Sequence, residues 1–466
     1  MKAVIAATAA LGMAISASAS LRAGAAKTDI TPKEWPVRVI GGFELVLADS
    51  AHDPLHSRAI VLEDGGVKIA IAVVDSCFIK REQMDRAKQI ASERTGIPVG
   101  RMLISATHTH SAPPSTPEEG NAKERRYAEY LVSQTAEAIA EANRRLTPAR
   151  IGWGSRPVPE ELFNRRWYMR PGSIPLNPFG GSADLVRMNP APGSKDLVHP
   201  AGGTDPEFSV ISIRTRDGKP LALLGNYSLH YVGGVPGSQL SADYFGEFAR
   251  LVAEKAAPDD PGFVAILTNG TSGDVNNTNF LNPRPRAEPF ERILAVAGKL
   301  AQHAVEAASS MEHRETIAIR MAERILPLRY RKPDARQLAY ARAALAEPDA
   351  KKLPARAKAY AERAIRLNEG PETAELKLQA IRLGGLGIAA IPCEVFTEIG
   401  LTIKELTPVR PSFTIELANG HYGYLPTPRH YALGGYETWL GTNYLEEEAS
   451  VKITRAILEL LGEVAR

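Results

Sequence analysis

Cysteine is scarce in this sequence, which contains only Cys77 and Cys393 among its 466 residues. Two cysteines at this separation lack the paired C-x-x-C arrangement of a cysteine-based zinc site. Each lies beside an apolar run, so a disulfide between them and two buried free thiols are equally compatible with the sequence. No run of lysine or arginine stands out, and the formal net charge is only +3. The sequence therefore contains no sign of a nucleic-acid partner.

Long apolar runs are also missing beyond the first residues of the chain. Lys2 precedes a short apolar run at residues 3–15, and Ala17-Ser18-Ala19 follows as a small-residue cleavage site. This run is too short to span a bilayer, so we expect no transmembrane anchor. We predict that residues 1–19 are a signal peptide, that residues 20–466 form one domain, and that the mature protein is secreted or periplasmic.

Short apolar runs that alternate with helical patterns indicate the fold class. Strands are predicted where such runs end in polar or glycine-rich residues, and helices where apolar residues recur at helical spacing. The predicted strands cover residues 58–62, 68–74, 102–106, 208–214, 221–227 and 263–267, and the predicted helices cover residues 125–142, 244–256 and 288–308. Because Asp217-Gly218 is also a hairpin signal, we predict an α/β fold with a mixed, partly parallel β-sheet core flanked by helices.

Two segments do not follow this alternation. Residues 155–205 contain many prolines and glycines, and a loop of this length inside a domain is usually functional, as a lid or a substrate wall. Residues 336–366 are rich in alanine and in charged residues of both signs. This composition favours two solvated surface helices over a binding arm.

The most informative motif is the histidine pair His108-Thr109-His110. An apolar strand at residues 102–106 leads into it, and side chains two residues apart on a strand project from the same face. Two imidazoles at a strand end can bind one metal ion together, or one can bind it while the other transfers protons. A polar turn that happens to contain two histidines is the alternative.

Other segments are suited to complete such a site. His230 follows a second apolar strand, and Glu394 follows a third and precedes a helical pattern. Histidines and a carboxylate at strand ends suit a catalytic zinc ion, although a lone carboxylate at a helix start is more often a dipole partner. Residues 418–436 place several tyrosines among glycines, which indicates either a pocket whose hydroxyls donate hydrogen bonds or ordinary loop packing.

Taken together, these segments resemble the neutral (non-lysosomal) ceramidase family. The similarity lies in Ala23 to Pro32, in Ser105 to Ser111, in Pro392 to Gly400 and in the tyrosine-rich segment. The segments occur in the family's order, so the resemblance covers almost the whole chain from residue 23. It implies that residues 20–466 are one zinc hydrolase catalytic domain that cleaves an amide or ester bond.

The resemblance also implies a set of metal ligands. One zinc ion per chain would be bound by His108, His230, Glu394 and Tyr424. A bound zinc ion lowers the pKa of its water towards about 7. Three acidic side chains are further candidates for orienting the zinc-binding histidines as hydrogen-bond acceptors. They are Asp75, Asp243 and Asp274.

The remaining implied roles concern catalysis. His110 matches the family histidine that transfers protons near the metal, and Tyr436 matches a second tyrosine near the scissile bond. Arg165 matches an arginine that faces the substrate, with Arg166 as the alternative. Tyr436 or Arg165 would stabilise the negative charge that develops on the carbonyl oxygen.

The chain departs from the family pattern at several positions. Asn276 occupies the position of an active-site serine, Ala112 follows Ser111 where the family has a glycine, and Cys393 replaces a glycine before the glutamate. We also expect the family's additional immunoglobulin-like domain to be absent, because the chain ends at Arg466. Aromatic residues make up only 6% of the sequence. The substrate is therefore a small molecule, lipid or carbohydrate, and ceramide itself is not the expected one.

Three alternatives keep part of this interpretation. Amidohydrolase barrels also bind metal through an H-x-H pair, but there the pair follows the first strand. A non-catalytic binding homologue would keep the fold without turnover. A zinc-dependent deacetylase or lyase could act on an acidic sugar, because Arg165, Arg166 and Arg170 would suit a carboxylate. Simple solvation of a surface loop is the competing explanation for these arginines.

Overall fold

An eight-stranded sheet forms the larger part of the core. The computed structural model describes residues 20–466, and the predicted signal peptide at residues 1–19 lies outside this range. In chain order the strands are β1 (Arg22–Asp29), β2 (His56–Asp64), β3 (Val67–Val74), β4 (Met102–Ala106), β5 (Thr147–Pro157), β6 (Glu207–Thr215), β7 (Pro220–Tyr227) and β8 (Val264–Asn269). Their spatial order is β8-β7-β6-β5-β1-β2-β3-β4. The edge pairs β3–β4 and β7–β8 are parallel, and the pairs between them are antiparallel.

A second sheet has four strands in the order of the chain. They are β9 (Ile319–Arg329), β10 (Thr373–Leu383), β11 (Leu386–Ala390) and β12 (Ser412–Ile415), of which β11 and β12 are parallel. Short strands occur at Val37–Val39, Val46–Ala48, Ser50–Ala51, Phe163–Asn164, Arg166–Met169, Val186–Met188, Leu197–Pro200, Gln239–Leu240, Val275–Asn276, Glu394–Val395 and Tyr424–Leu425. The predicted α/β fold with a mixed, partly parallel sheet is thus confirmed. The antiparallel centre of the large sheet excludes an amidohydrolase barrel.

Nine α-helices accompany the sheets within residues 20–466. They are α1 (Arg81–Thr95), α2 (Ala122–Arg144), α3 (Asp243–Ala256), α4 (Glu291–Ser310), α5 (Ala335–Ala346), α6 (Ala357–Glu369), α7 (Thr397–Leu406), α8 (Pro428–Leu433) and α9 (Ala449–Ala465). The starts follow local chemistry: the Asn121 side chain accepts a hydrogen bond from the Glu124 backbone at the start of α2, and Asp334 and Gln337 form a capping box at α5. No helix in this range is long and apolar enough to cross a membrane.

The predicted elements lie close to the observed ones. Each predicted strand is found with bounds shifted by at most two residues, and each of the three predicted helices with bounds shifted by at most three. The two helices predicted within residues 336–366 are α5 and α6. Many of their residues are exposed, as predicted for surface helices, and α6 also contributes to the main cavity, as described below.

One hydrophobic cluster lies between the sheets and collects side chains from all eight strands of the large sheet and from β9 to β12. Three further clusters cover the outer faces: α1 and α2 pack on β1 to β4, α3 and α4 pack on β6 to β8, and α7 and α9 pack on the second sheet. Strands such as β3 are therefore buried on both faces, which explains their continuous apolar sequences.

The carboxyl ends of the three parallel pairs meet in one place. The backbone N–H of Ala106, at the end of β4, donates to the carbonyl of Leu417, which follows β12, over 3.2 Å. Beside it, the N–H of Glu416 donates to the carbonyl of Asn269 at the end of β8, also over 3.2 Å. Residues that follow β3, β4, β7, β8, β11 and β12 are thereby brought together. Such a meeting point of strand ends is where α/β proteins commonly build their sites.

A candidate metal centre

The histidine pair lies in the loop after β4 and not on the strand itself. The strand ends at Ala106, and His108 adopts a left-handed backbone conformation with φ of 74°. The expectation that the two histidines share a strand face is therefore wrong. Their rings nevertheless approach, with centroids 4.7 Å apart and planes at 87°. A non-glycine residue in this conformation is held there by its surroundings, here by the backbone N–H of His108 donating to Ser76.

Three buried groups converge on a single point. The Nε2 atoms of His108 and His230 are 3.0 Å apart, and the Oε2 atom of Glu394 is 3.3 Å from the first and 3.7 Å from the second. All three side chains are buried. Their ligand atoms lie within 4.8 Å of one another, which is the arrangement of a candidate metal-binding group.

The hydrogen bonds around this group direct Nδ1 of both histidines away from its centre. The Nδ1 atom of His108 is 2.7 Å from the carbonyl oxygen of Cys77, and that of His230 is 3.1 Å from the carbonyl of Ser272. A neutral imidazole that donates from Nδ1 has a bare lone pair on Nε2. The Oε2 atom of Glu394 is buried and has no hydrogen-bond partner. Two lone pairs and a carboxylate oxygen facing one another are the environment that a cation satisfies.

Protonation of the group without a cation follows from the same contacts. Burial opposes its charge, yet the Glu394 carboxylate and Cys77 raise the pKa of His108 well above its usual value. Burial, Arg165 and the charge on His108 lower the pKa of His230. Despite burial, His108 holds the pKa of Glu394 well below its usual range. Without a cation, His108 is therefore the protonated partner of the Glu394 carboxylate, and a bound cation would take the place of that proton.

Tyr424 reaches the group through a short strand. Glu394–Val395 pairs in parallel with Tyr424–Leu425, so Glu394 and Tyr424 lie side by side. The Tyr424 ring is parallel to that of His230 at a centroid distance of 6.5 Å. Burial and the Glu394 carboxylate raise the pKa of Tyr424 well above its usual value, against the opposing effect of Arg165. The structure thus brings together the four side chains that the resemblance implied as zinc ligands.

His110 and Tyr436 lie beside this group. The Nε2 atom of His110 is 3.2 Å from that of His108, and its ring stacks on Tyr231 at 3.7 Å. Burial and the charge on His108 lower the pKa of His110 well below its usual value, so it is neutral without a metal. The Tyr436 ring is 5.8 Å from that of Tyr424, and burial raises its pKa, so it keeps its proton.

One contact of Glu394 was not foreseen. The Nε2 atom of His421 is 3.2 Å from Oε1 of Glu394, and the His421 ring stacks on Phe78 at 4.3 Å. Oε1 is thereby engaged while Oε2 faces His108. His421 lies within the segment predicted to form a pocket, but nothing in the sequence separation between His421 and Glu394 predicts that their side chains are in contact. It orients the carboxylate, as hydrogen-bond partners of metal ligands commonly do.

Arg165 and Arg166 share one carboxylate that sequence analysis missed. Glu437 is fully buried and accepts from Nε of Arg165 over 3.0 Å and from Nη1 of Arg166 over 2.5 Å. The guanidinium of Arg165 lies 5.2 Å from the Tyr424 ring centroid, and its Nη2 is buried without a partner. The alternative explanation, that these two arginines are solvated on a surface loop, is wrong, because Arg165 is 4% exposed and Arg166 is 0% exposed. Arg165, and not Arg166, is the one beside Tyr424.

The three aspartates do not orient the histidines. Asp75 accepts from Arg58 over 2.7 Å. Asp243 accepts from the backbone of Val232 and Gly233 after His230, and Asp274 bonds to Asn164 and Thr397. These carboxylates stabilise neighbouring loops. The expectation that they accept hydrogen bonds from the zinc-binding histidines is wrong. The acceptors are the backbone carbonyls of Cys77 and Ser272.

Ser272 connects the metal group to a buried acid. Its hydroxyl donates to Oε1 of Glu416 over 2.5 Å and lies 3.3 Å from Nδ1 of His230. Burial raises the pKa of Glu416 to about 8, against the lowering effect of its bond with Ser272. Asn276, which stands at the family's serine position, donates instead to Asn189 over 2.6 Å. Both cysteines are buried free thiols, and Cys77 Sγ is 3.8 Å from Nδ1 of His108.

The metal group opens onto a cavity of about 910 Å³. Its wall includes His108, His110, Glu394, His421, Tyr424 and Tyr436, together with residues 38–45 and parts of segments 77–82 and 363–371. No residue of segment 155–205, predicted as a lid or substrate wall, lines it. That segment instead forms short strands and supplies Arg165 from behind Tyr424. The walls come from the start of the chain, from α6 and from the tyrosine-rich segment.

Two solved structures of ceramidases are similar to this fold. The chain is similar to the crystal structure of neutral ceramidase from Pseudomonas aeruginosa, with a TM-score of 0.69 and 18% identity over 96% of this chain and 75% of that chain. It is equally similar to a ceramidase complexed with C2, at 0.69 and 18% over 95% and 75% of the two chains. Neither a protein-family model nor a curated protein sequence matches the chain. The predicted neutral-ceramidase-like fold is thus confirmed.

Removing Glu437 should destabilise the protein strongly. Glu437→Ala leaves two buried guanidinium groups without their carboxylate, which typically costs about 3–5 kcal/mol. The measurement is the free energy of unfolding from denaturant titration, with the exposed Glu447→Ala as matched control. Equal stability of the two variants would contradict the role assigned to Glu437.

Proposed function

We propose that the protein is an exported zinc-dependent hydrolase that cleaves an amide or ester bond in an N-acyl or O-acyl small molecule. One zinc ion per chain is bound by His108, His230, Glu394 and Tyr424, and residues 20–466 act as one catalytic domain. The observation that carries the proposal is the convergence of two imidazole nitrogens and an unpartnered carboxylate oxygen at the wall of a large cavity.

The donor set supports zinc over other common cations. Imidazole and carboxylate ligands suit zinc, whereas calcium and magnesium prefer all-oxygen sites. His108 and Glu394 both line the cavity, so one side of the group faces the space where a substrate would enter. Catalytic zinc sites keep such an open position, whereas structural ones are closed by protein ligands.

His110 is suited to proton transfer. When bound, zinc supplies a Lewis acid that polarises a carbonyl and makes water acidic near neutral pH. Burial lowers the pKa of His110, which keeps its imidazole neutral and able to accept a proton at Nε2. This atom faces the metal group at 3.2 Å from Nε2 of His108. His110 can later return the proton to the leaving group, as general acid–base catalysis requires.

Arg165 and Tyr436 can stabilise negative charge on the reacting carbonyl oxygen. The unpartnered Nη2 of Arg165 and the protonated hydroxyl of Tyr436 are both hydrogen-bond donors, and both side chains adjoin the Tyr424 ring. Glu437 fixes the Arg165 guanidinium, so its orientation costs nothing during the reaction. His421 likewise fixes the orientation of the Glu394 carboxylate through its contact with Oε1.

The two similar structures support an amide as the bond that is cleaved, because both are described as ceramidases. Ceramide itself is not part of the proposal. The cavity wall carries the basic side chains Lys80, Arg363 and Arg366 and the acidic side chains Glu44 and Glu82, and such charges suit a more polar compound than a long-chain lipid. Arg165 and Arg166 pair with Glu437, so these two arginines do not support the alternative of a zinc-dependent deacetylase or lyase that acts on an acidic sugar.

The reaction class is tested with a panel of N-acyl lipids, N-acetyl sugars, lactones and aryl esters. We expect release of a carboxylic acid or alcohol from at least one class, loss of this activity with a chelator, and its return with added zinc. Product analysis by mass spectrometry separates the alternatives. An unsaturated product would indicate a lyase, and no turnover of any class in the zinc-bound protein would favour a binding homologue.

Replacement of His110 should separate chemistry from metal binding. His110→Ala removes the proton acceptor but none of the four ligands, so we expect kcat to fall by about 10²–10⁴-fold while the zinc content is retained. The exposed His199→Ala is the matched control, because His199 bonds only to the neighbouring Pro200 carbonyl. Activity of His110→Ala at the level of this control would contradict proton transfer by His110.

A further inference from the structure

Helix α6 brings an arginine without an acidic partner to the main cavity. Arg363 lies on the cavity wall and is partly buried. No carboxylate oxygen within residues 20–466 lies within 4.0 Å of its guanidinium. Its single hydrogen bond is donated from Nη1 to the carbonyl of Gly441 over 3.2 Å. A guanidinium has five N–H donors, so most of those on Arg363 are available to a ligand.

Aromatic rings hold this guanidinium in place. It lies 4.9 Å from the ring centroid of Phe43 and 5.0 Å from that of Tyr360. A second cation, Arg356, lies 3.9 Å from the Phe43 centroid, but its side chain is exposed and does not line the cavity. The stem of Arg363 also packs against Gly441, whose φ of 90° and missing side chain permit this close approach. Stacking on aromatic faces fixes a guanidinium while its edge stays free to donate hydrogen bonds. The side chain is therefore positioned before any ligand arrives.

The other basic side chains of the cavity differ from Arg363. Arg38 is paired with Glu118 and Glu124, and Arg81 is paired with Asp85. Their charges are balanced within the protein. Arg366, one turn further along α6, is 66% exposed and lies 3.8 Å from Glu362.

Two carboxylates on the cavity wall, Glu44 and Glu82, are exposed side chains that form no salt bridge in the described chain. Neither lies within 4.0 Å of Arg363. Lys80 is likewise exposed and unpaired. These three side chains are at the solvent-facing part of the wall, where water screens their charges. Arg363 is thus the partly buried, fixed cation of the cavity whose charge the protein itself leaves unbalanced.

A continuous aromatic wall joins Arg363 to the metal group. The ring of Phe43, on which the guanidinium stacks, is 6.2 Å from that of Tyr436. The ring of Tyr436 is in turn 5.8 Å from that of Tyr424. Arg363 is therefore separated from Tyr424 by two rings along one wall. A group bound by Arg363 would be remote from a bond that is cleaved beside Tyr424.

We propose that Arg363 binds a carboxylate of the substrate at a position remote from the scissile bond, so that the substrate is an anionic acyl compound. One guanidinium balances the single charge of a carboxylate and matches its two oxygens with two parallel N–H donors. The intervening rings contact the part of the substrate that joins the two ends. The substrate class rests on the proposed hydrolase function, whereas carboxylate binding by Arg363 does not.

The test compares matched acids and neutral amides with the purified, zinc-bound chain. One pair is N-octanoyl-6-aminohexanoate and its N-methylamide, with the carboxylate on the amine side. The other is the mono-hexylamide of octanedioic acid and its N-methylamide, with the carboxylate on the acyl side. KM is measured for a compound that is hydrolysed, and Kd by calorimetry for one that is not. We expect one acid to bind about tenfold more tightly than its neutral partner, which corresponds to ~1.4 kcal/mol.

Substitutions assign this preference to its residue. Arg363→Ala should remove it, and Arg363→Lys should retain part of it, because lysine keeps the charge but not the paired donors. Arg342→Ala, an exposed arginine on α5, should leave it unchanged. If Arg363→Ala melts below the wild type, Arg363→Gln is measured instead, since glutamine can keep a donor to Gly441. The proposal is overturned if neither pair shows a preference for the acid, or if the preference survives loss of Arg363.

The two proposals fail in different ways. Hydrolysis of both members of a pair with equal KM would leave the hydrolase intact and reject the carboxylate site. An Arg363-dependent preference for the acid without any hydrolysis would support the site and count against the hydrolase. Raising the ionic strength should weaken binding of the acid and leave binding of the neutral amide unchanged, because only the first is electrostatic.

Discussion

Two imidazole nitrogens and one carboxylate oxygen face each other at the wall of the main cavity, and much of the surrounding structure positions these three atoms. His108 and His230 direct Nδ1 at backbone carbonyls, so their Nε2 lone pairs point inward at 3.0 Å from each other. Glu394 adds the oxygen Oε2, which lies 3.3 Å from Nε2 of His108 and 3.7 Å from Nε2 of His230. Burying such groups without compensation costs several kcal/mol, which a divalent cation would offset. The same cation would account for the left-handed backbone of His108 as a functional constraint.

Much of the fold follows from patterns of short range. The apolar strands β2 to β4 and β6 to β8 are recognisable because both faces of the sheets are covered, and the helices because each has one apolar face. The ends of β4 and β8, at opposite edges of the large sheet, both bond to the segment that follows β12. No short-range sequence pattern predicts this long-range contact. This contact depends on the second sheet, whose strands β9 to β12 pack against the large sheet in the central hydrophobic cluster. For this reason sequence patterns indicate a mixed sheet but not two sheets around one core.

The candidate ligands were accessible to sequence analysis because they follow strand ends and match family motifs in order. The residues that hold them were not. His421 reaches Glu394 across 27 positions, and Glu437 reaches Arg165 across 272. Buried polar contacts of this kind have no periodicity, since they depend on tertiary packing alone. Arg363 could not be predicted for another reason. The alternating charges on α6 are typical of a solvated helix, and only the structure shows that Arg363 faces the cavity.

The central claim is that this group of side chains binds one zinc ion. The most direct measurement is the metal content of the purified protein by mass spectrometry, for the wild type and for His230→Ala with His199→Ala as control. The account predicts about one zinc ion per chain in the wild type and the control, much less in His230→Ala, and a lower melting temperature after chelation. A wild-type protein without zinc, whose stability is unchanged by a chelator and by added zinc, would contradict it.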